Sequence, residues 1–245
     1  VTLSILDQSP VISGLGAQRA IEETLALARH ADALGYHRYW FAEHHAIAAL
    51  GDPCPEVLLA RLGAETKRLR VGTGGVLLPY YSPFKVAEVF RMLEALYAGR
   101  VDLGIGRAPG GDQRTARAVG GGHFPDAERF PEQVWELVGQ LDGTLPEDHP
   151  HRRLRVQPDG PGAPEVWLLG SSDYSGALAA QLGEVKLRHV QALVRRQPPH
   201  ARQPVGRDPE ANQGPRGAVE LPRIDDAGAE ASGRSDSGRG GAANA

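Results

Sequence analysis

One acid and two imidazoles stand together at Glu43-His44-His45, directly after the aromatic run Tyr39-Trp40-Phe41. An imidazole titrates near neutral pH, so one histidine at the mouth of a pocket can take and return a proton. Two imidazoles and a carboxylate also suit a metal ion. Neighbouring residues on a strand point to opposite faces, however, so His44 and His45 do not converge on one ion from regular strand geometry. The third reading is a strand end whose histidines bond only to backbone.

Three further stretches carry chemistry. Gly74-Gly75 interrupts an apolar run. A glycine pair inside a strand marks a bulge, tight packing in a narrow barrel, or close approach of backbone to a ligand. Gly104-Ile105-Gly106-Arg107-Ala108-Pro109-Gly110 looks at first like a dinucleotide loop. Its spacing is G-x-G-x-x-x-G, and Pro109 and Gly110 prevent the immediate helix start that a pyrophosphate needs. What is left is Arg107 at a strand end, where a guanidinium either forks onto a phosphate or pairs on the surface. Gly170-Ser171-Ser172-Asp173-Tyr174-Ser175 joins a strand to a helix. Hydroxyls beside free amides make either an anion site or an ordinary helix cap. G-x-S-x-G is absent there, which excludes a serine-hydrolase elbow.

The elements that position these residues alternate. Short apolar runs predict strands over 3–6, 37–42, 69–78, 101–105 and 165–169. Between them, apolar residues at helical spacing predict helices over 17–34, 55–67, from 83 to before Gly99, 128–141 and from about 175 to 182. Gly35 suits a helix stop, and Ser82-Pro83 a capped start. A small excursion strand is expected over 153–157. Strand and helix in alternation mean a parallel sheet with its helices outside. Unlike polar groups at the strand ends, in place of one nucleotide fingerprint, favour a barrel over a doubly wound sheet.

A chain of 245 residues makes one large domain or two small ones. Its net charge of -3 does not fit electrostatic nucleic-acid binding. The single cysteine, Cys54, excludes an internal disulfide and any multi-cysteine zinc site, and fits a reducing cytoplasm. Neither a signal peptide nor an apolar run of membrane-spanning length is seen in these 245 residues.

Taken together, the stretches LDQSP, ADALGYHRYWFAEHH, RVGTGGVLLP, SPFKVAE, LYAGRVDLGIGRAPG and VWLLGSSDYSGALAAQLG resemble the bacterial luciferase-like flavin monooxygenase family. They cover residues 1 to about 183. The resemblance implies an α/β fold of the (β/α)8 TIM-barrel type and binding of reduced FMN, with the deazaflavin F420 as the alternative. Gly74-Gly75 would lie under the flavin ring, in this family often with a non-proline cis peptide. Glu43 would lie near the flavin. Arg107, Ser172 and Ser175 would hold its phosphate, and Asp112 would stand on the flavin-side loop after the fourth strand. His44 would be the catalytic imidazole, handling protons around a flavin C4a-peroxide. No metal is implied.

The implied reaction moves one oxygen atom of O2 to a small organic substrate. The sequence shows no NAD(P)H fingerprint, so a flavin reductase partner would supply reduced FMN. A homodimer or pairing with a homologue is a further implied partnership, while nucleic acid and membrane are not, and the location would be cytoplasmic. Two rival readings use the same barrel: an F420-dependent oxidoreductase, and a non-catalytic flavoprotein or partner subunit.

The match fades after Leu182-Gly183. Residues 184–197 suit one basic amphipathic helix through Leu187, Val190 and Val194. Residues 198–245 are rich in Pro, Arg and Gly and hold too few apolar groups to offset an ordering entropy of ~1–2 kcal/mol per residue, so a disordered tail is expected. The expected organisation is a barrel domain of about five βα units over 1–183, followed by a non-matching segment over 184–245. Five strands leave two open sheet edges. On that reading the chain is a truncated or frame-shifted product, weakly stable and inactive on its own.

Overall fold

In the computed structural model, described for residues 3–108, 110–160, 162–170, 173–182 and 187–191, six strands form one sheet in the order β1-β2-β3-β4-β5-β6. They are β1 (Ser4–Asp7), β2 (Arg38–Phe41), β3 (Arg70–Leu77), β4 (Val101–Gly106), β5 (Glu165–Gly170) and β6 (Leu187–Gln191). Every neighbouring pair is parallel. The helices between them are α1 (Gly16–Leu34), α2 (Pro55–Glu65), α3 (Pro83–Leu96), α4 (Gln113–Val119), α5 (Phe130–Asp142) and α6 (Asp173–Gln181). A strand order that follows the sequence without reversal is that of a barrel wall, since a doubly wound sheet must turn back at a switch point. Right-handed crossovers then place all the helices on one face.

The two faces of the sheet differ as the alternation in the sequence demands. Tyr39, Phe41, Val71, Leu103, Ile105, Val166 and Leu168 face the helices and are almost wholly buried. They pack with Leu59 and Leu62 of α2, Phe90 of α3 and Leu137 of α5 in one continuous core. Each such side chain contributes about 1.5–3 kcal/mol by leaving water. The register puts Arg38, Trp40, Gly72, Gly74, Asp102, Gly104 and Trp167 on the other face. There Asp102 accepts from Arg38 Nε (3.0 Å), Arg70 Nε (3.0 Å) and Nη2 (2.7 Å), and Trp167 Nε1 (3.1 Å). This cluster closes the amino ends of four strands.

The helix boundaries follow their caps. Gly35 takes the left-handed conformation (φ 80°) and donates to Ala31 and Asp32 carbonyls at the end of α1. Ser82 Oγ accepts from Lys85 N at the start of α3 (3.4 Å). Two expectations fail, and one helix is unanticipated. No strand forms over 153–157, which run from a turn at Arg153 through irregular chain to a bend at Gln157. Residues 187–191 form strand β6 beside β5 where a helix is expected, because Leu187 and Val190 fit either period over so short a run. Helix α4 is unanticipated: it buries little (Ala116), so it has almost no apolar stripe to show in sequence. The expected disordered tail lies outside the described residues. Among the described residues no helix is long and apolar enough to cross a membrane.

Candidate active site

The carboxyl ends of β2, β3, β4 and β5 carry the polar groups singled out in the sequence. Strand β2 stops at Phe41, so Glu43-His44-His45 lies just beyond it on the emerging loop. Ala46 is in the left-handed region (φ 52°), a conformation that costs a non-glycine residue about 1 kcal/mol and reverses the chain. The loop folds back so that His44 N donates to Asp52 O (3.4 Å) and Gly51 N to Ser9 O (2.8 Å).

Glu43 is buried and each of its oxygens has a protein donor. Oε2 accepts from Leu77 N at the end of β3 (2.8 Å). Oε1 accepts from Tyr81 OH (2.6 Å) and from His45 Nε2 (2.6 Å). Burial and the Glu43 charge push the Tyr81 phenol upward, so it stays a donor. The two histidines therefore part company. His45 is tied to Glu43, with its backbone N donating to Gly110 O (3.3 Å). His44 Nδ1 is buried and has no hydrogen-bond partner among the described residues. They do not converge on one ion.

The glycines form the floor. The Gly74-Gly75 peptide is cis, and the β3–β4 register shifts between Gly74 and Val76. A Cβ on Gly75 would come within 2.7 Å of Gly104 O, and one on Gly104 within 2.0 Å of Thr73 O. A Cβ on Gly106, one pleat nearer the mouth, would meet nothing closer than 3.8 Å. Gly110 (φ 61°) and Gly111 lie against Glu43 and His45 backbone, which explains why the loop after β4 is glycine-rich.

At the other end of this row Arg107 is exposed at the end of β4, with its guanidinium 4.3 Å from the centre of the Tyr174 ring. Tyr174 and the buried Ser175 sit in the first turn of α6. A cation thus stands beside a helix start, the arrangement that favours an anion. Ser172 lies outside the described residues. Asp112 is exposed and caps α4 by accepting from Thr115 N (2.8 Å). Its carboxyl is held low by that bond.

Sequence reading missed two groups here. Tyr81 shows only as one tyrosine of a pair before Ser82-Pro83. Asp52 is 2% exposed, accepts from Cys54 N (3.0 Å) through Oδ1, and leaves Oδ2 without a partner among the described residues. Burial, with smaller contributions from the Glu56, Asp7 and Glu43 charges, pushes its carboxyl up to about 7 against the Cys54 hydrogen bond. Its only sequence signal is a turn, Gly51-Asp52-Pro53.

The family model of luciferase-like monooxygenases matches residues 1–222. The chain belongs to the luciferase-like monooxygenase family. A luciferase-like monooxygenase of Escherichia coli strain K12 is 46% identical over 183 residues, which is 75% of this chain and 53% of that protein. The N-acetyl-S-alkylcysteine monooxygenase of Bacillus subtilis is 42% identical over 183 residues, 75% of this chain and 55% of its own. Among solved structures, apo-MsnO8 superposes with a TM-score of 0.70 at 44% identity, over 77% of this luciferase-like chain and 55% of that one. Two more distant structures share the fold. The oxygenating constituent of 3,6-diketocamphane monooxygenase from Pseudomonas putida, in complex with FMN, aligns at 22% identity and TM-score 0.61 over 77% of this chain and 57% of its own. An F420-dependent secondary alcohol dehydrogenase aligns at 16% and 0.55 over 73% and 55%. The chain spans about half the length of the curated relatives it matches.

Proposed function

We propose that this chain carries the flavin-binding half of an FMN-dependent monooxygenase site, acting on a small organic substrate with O2, with His44 as its catalytic imidazole. The observation that carries the reading is the row of groups along one sheet end: a histidine with an uncommitted buried nitrogen, a closely packed run of glycines, and an arginine beside a helix start. These fit a planar ring with a phosphate tail. At Gly106 the space a Cβ would fill is open, while at Gly74 and Gly75 it is taken by Leu6 and Leu169, so those two glycines let the strands and these side chains close up beneath a ring. Arg107 and Ser175, with Ser172, would hold the phosphate. When bound, reduced FMN supplies the activation of O2; the chain's own groups bind it, orient it and move protons.

His44 Nδ1 is the atom free to hold or release a proton, while Glu43 fixes the loop that presents it. Asp112 has a weaker claim to a flavin contact, since its carboxylate already caps α4. The FMN-bound and F420-bound fold neighbours leave deazaflavin as the second cofactor to be tested. A reductase that delivers reduced FMN, a second copy or a homologue as partner, and a boundary near residue 183 belong to the same proposal.

The test is turnover with reduced FMN supplied by a reductase and a panel of small organic acceptors, beginning with thioethers of the kind named in the B. subtilis relative. His44→Ala is expected to cut oxygenated product about a hundredfold or more while leaving thermal stability unchanged, because Nδ1 makes no bond to lose. His45→Ala is expected to lower stability instead, since it removes a donor from Glu43. Equal activity in His44→Ala and the parent would overturn the assignment.

A further inference from the structure

On the outer helix layer, α5 and the segment after it bring together Glu136, His149 and His151. Their ligand-capable atoms all lie within 4.8 Å of one another. Glu136 Oε1 accepts from His151 Nδ1 at 2.5 Å, and the His149 ring packs edge-on between Trp135 (5.5 Å) and His151 (5.4 Å). The flavin site uses none of these groups. We infer that these three residues form a binding site for a transition-metal cation of the Zn2+ class.

Two imidazoles and a carboxylate select borderline cations over Ca2+ or Mg2+, which prefer all-oxygen shells. Ligand bonds of about 2.0–2.2 Å require neighbouring ligand atoms roughly 3–3.5 Å apart. The present Glu136–His151 approach of 2.5 Å is shorter, and the widest separation, up to 4.8 Å, has to close by about 1 Å. These adjustments fall to the two histidines, of which His151 has a side chain 45% exposed, whereas Glu136 at 12% is the anchor on α5. The ion takes the place of the proton between Glu136 and His151. His149 Nδ1 now accepts from His151 N at 3.2 Å. A neutral ring held that way carries its proton on Nε2, so ligation either uses Nδ1 in place of this bond or moves the ring proton to Nδ1. The cost is one long hydrogen bond. Water completes the shell, and the ion clips the connection between α5 and β5 to the helix.

The test is calorimetric titration of the chelator-treated 245-residue chain with ZnCl2, repeated for His149→Ala, His151→Ala and Glu136→Gln. One ion per chain is expected, with affinity reduced about tenfold or more in each variant and a Zn2+-dependent rise in Tm seen only in the parent. The chain has nine histidines, so stray binding is identified by its persistence in the variants. Equal Zn2+ affinity in the parent and a His149→Ala/His151→Ala double variant overturns the site, as does the absence of saturable binding in the parent. Should a variant fail to fold by circular dichroism, Co2+ titration of the parent decides. Quenching of Trp135 emission, absent in Trp135→Phe, supports the site; quenching that persists there, or none in the parent, overturns it.

Discussion

The carboxylate of Glu43 takes donors from β3, from the turn after it and from its own loop, and so fixes the orientation of the histidine that has no such ties. Sequence shows the acid and the two imidazoles but not this division of labour, because Leu77 and Tyr81 lie 34 and 38 residues away. Asp52 lies on the same loop and has a measurable consequence. Its carboxyl titrates near 7 in the folded chain and about 4 in the unfolded one. Between those values the folded chain holds a proton that the unfolded chain has released. Stability therefore falls as pH rises through this window, on the order of 1 kcal/mol per pH unit, and levels off above it. In thermal denaturation across pH, Asp52→Asn is expected to gain on the parent steadily from about pH 4 to pH 7. A gap that does not change with pH would show that Asp52 is not held protonated.

Elements were the most legible level. Alternation of Val101, Leu103 and Ile105 with Asp102, Gly104 and Gly106 gives both the strand and its two faces, and the capped helices fall within a few residues of expectation. What failed was short or poorly buried: α4 and β6 have too few residues for their period to be unique. The glycine pattern of β4 also makes a prediction. Gly104→Ala places a methyl 2.0 Å from Thr73 O and must part β3 from β4, so a loss of several kcal/mol is expected. Gly106→Ala meets only side-chain and backbone atoms 3.8 Å or more away and is expected to leave Tm within a few degrees of the parent. Comparison of the two melting curves checks the reading; equal losses would mean that the strands are not packed this closely.

At the scale of the whole sheet, one buried carboxylate joins four strands. Asp102 receives Arg38 from β2, Arg70 from β3 and Trp167 from β5, and Arg38 stacks 4.8 Å over Trp167. Asp102→Ala leaves two guanidinium groups, 15% and 16% exposed, without their main partner. A loss of about 3–5 kcal/mol is expected in urea unfolding. An unchanged midpoint would show that the barrel foot is held by packing alone. The same sheet presents its opposite end as the proposed flavin site. Anaerobic titration of the 245-residue chain with reduced FMN, in competition with F420, puts this end of the sheet to the test. Saturable binding of one reduced FMN per chain is expected, tighter than F420 and weakened about tenfold or more by Arg107→Ala. Preference for F420, or no saturable binding of either cofactor, would contradict this proposal.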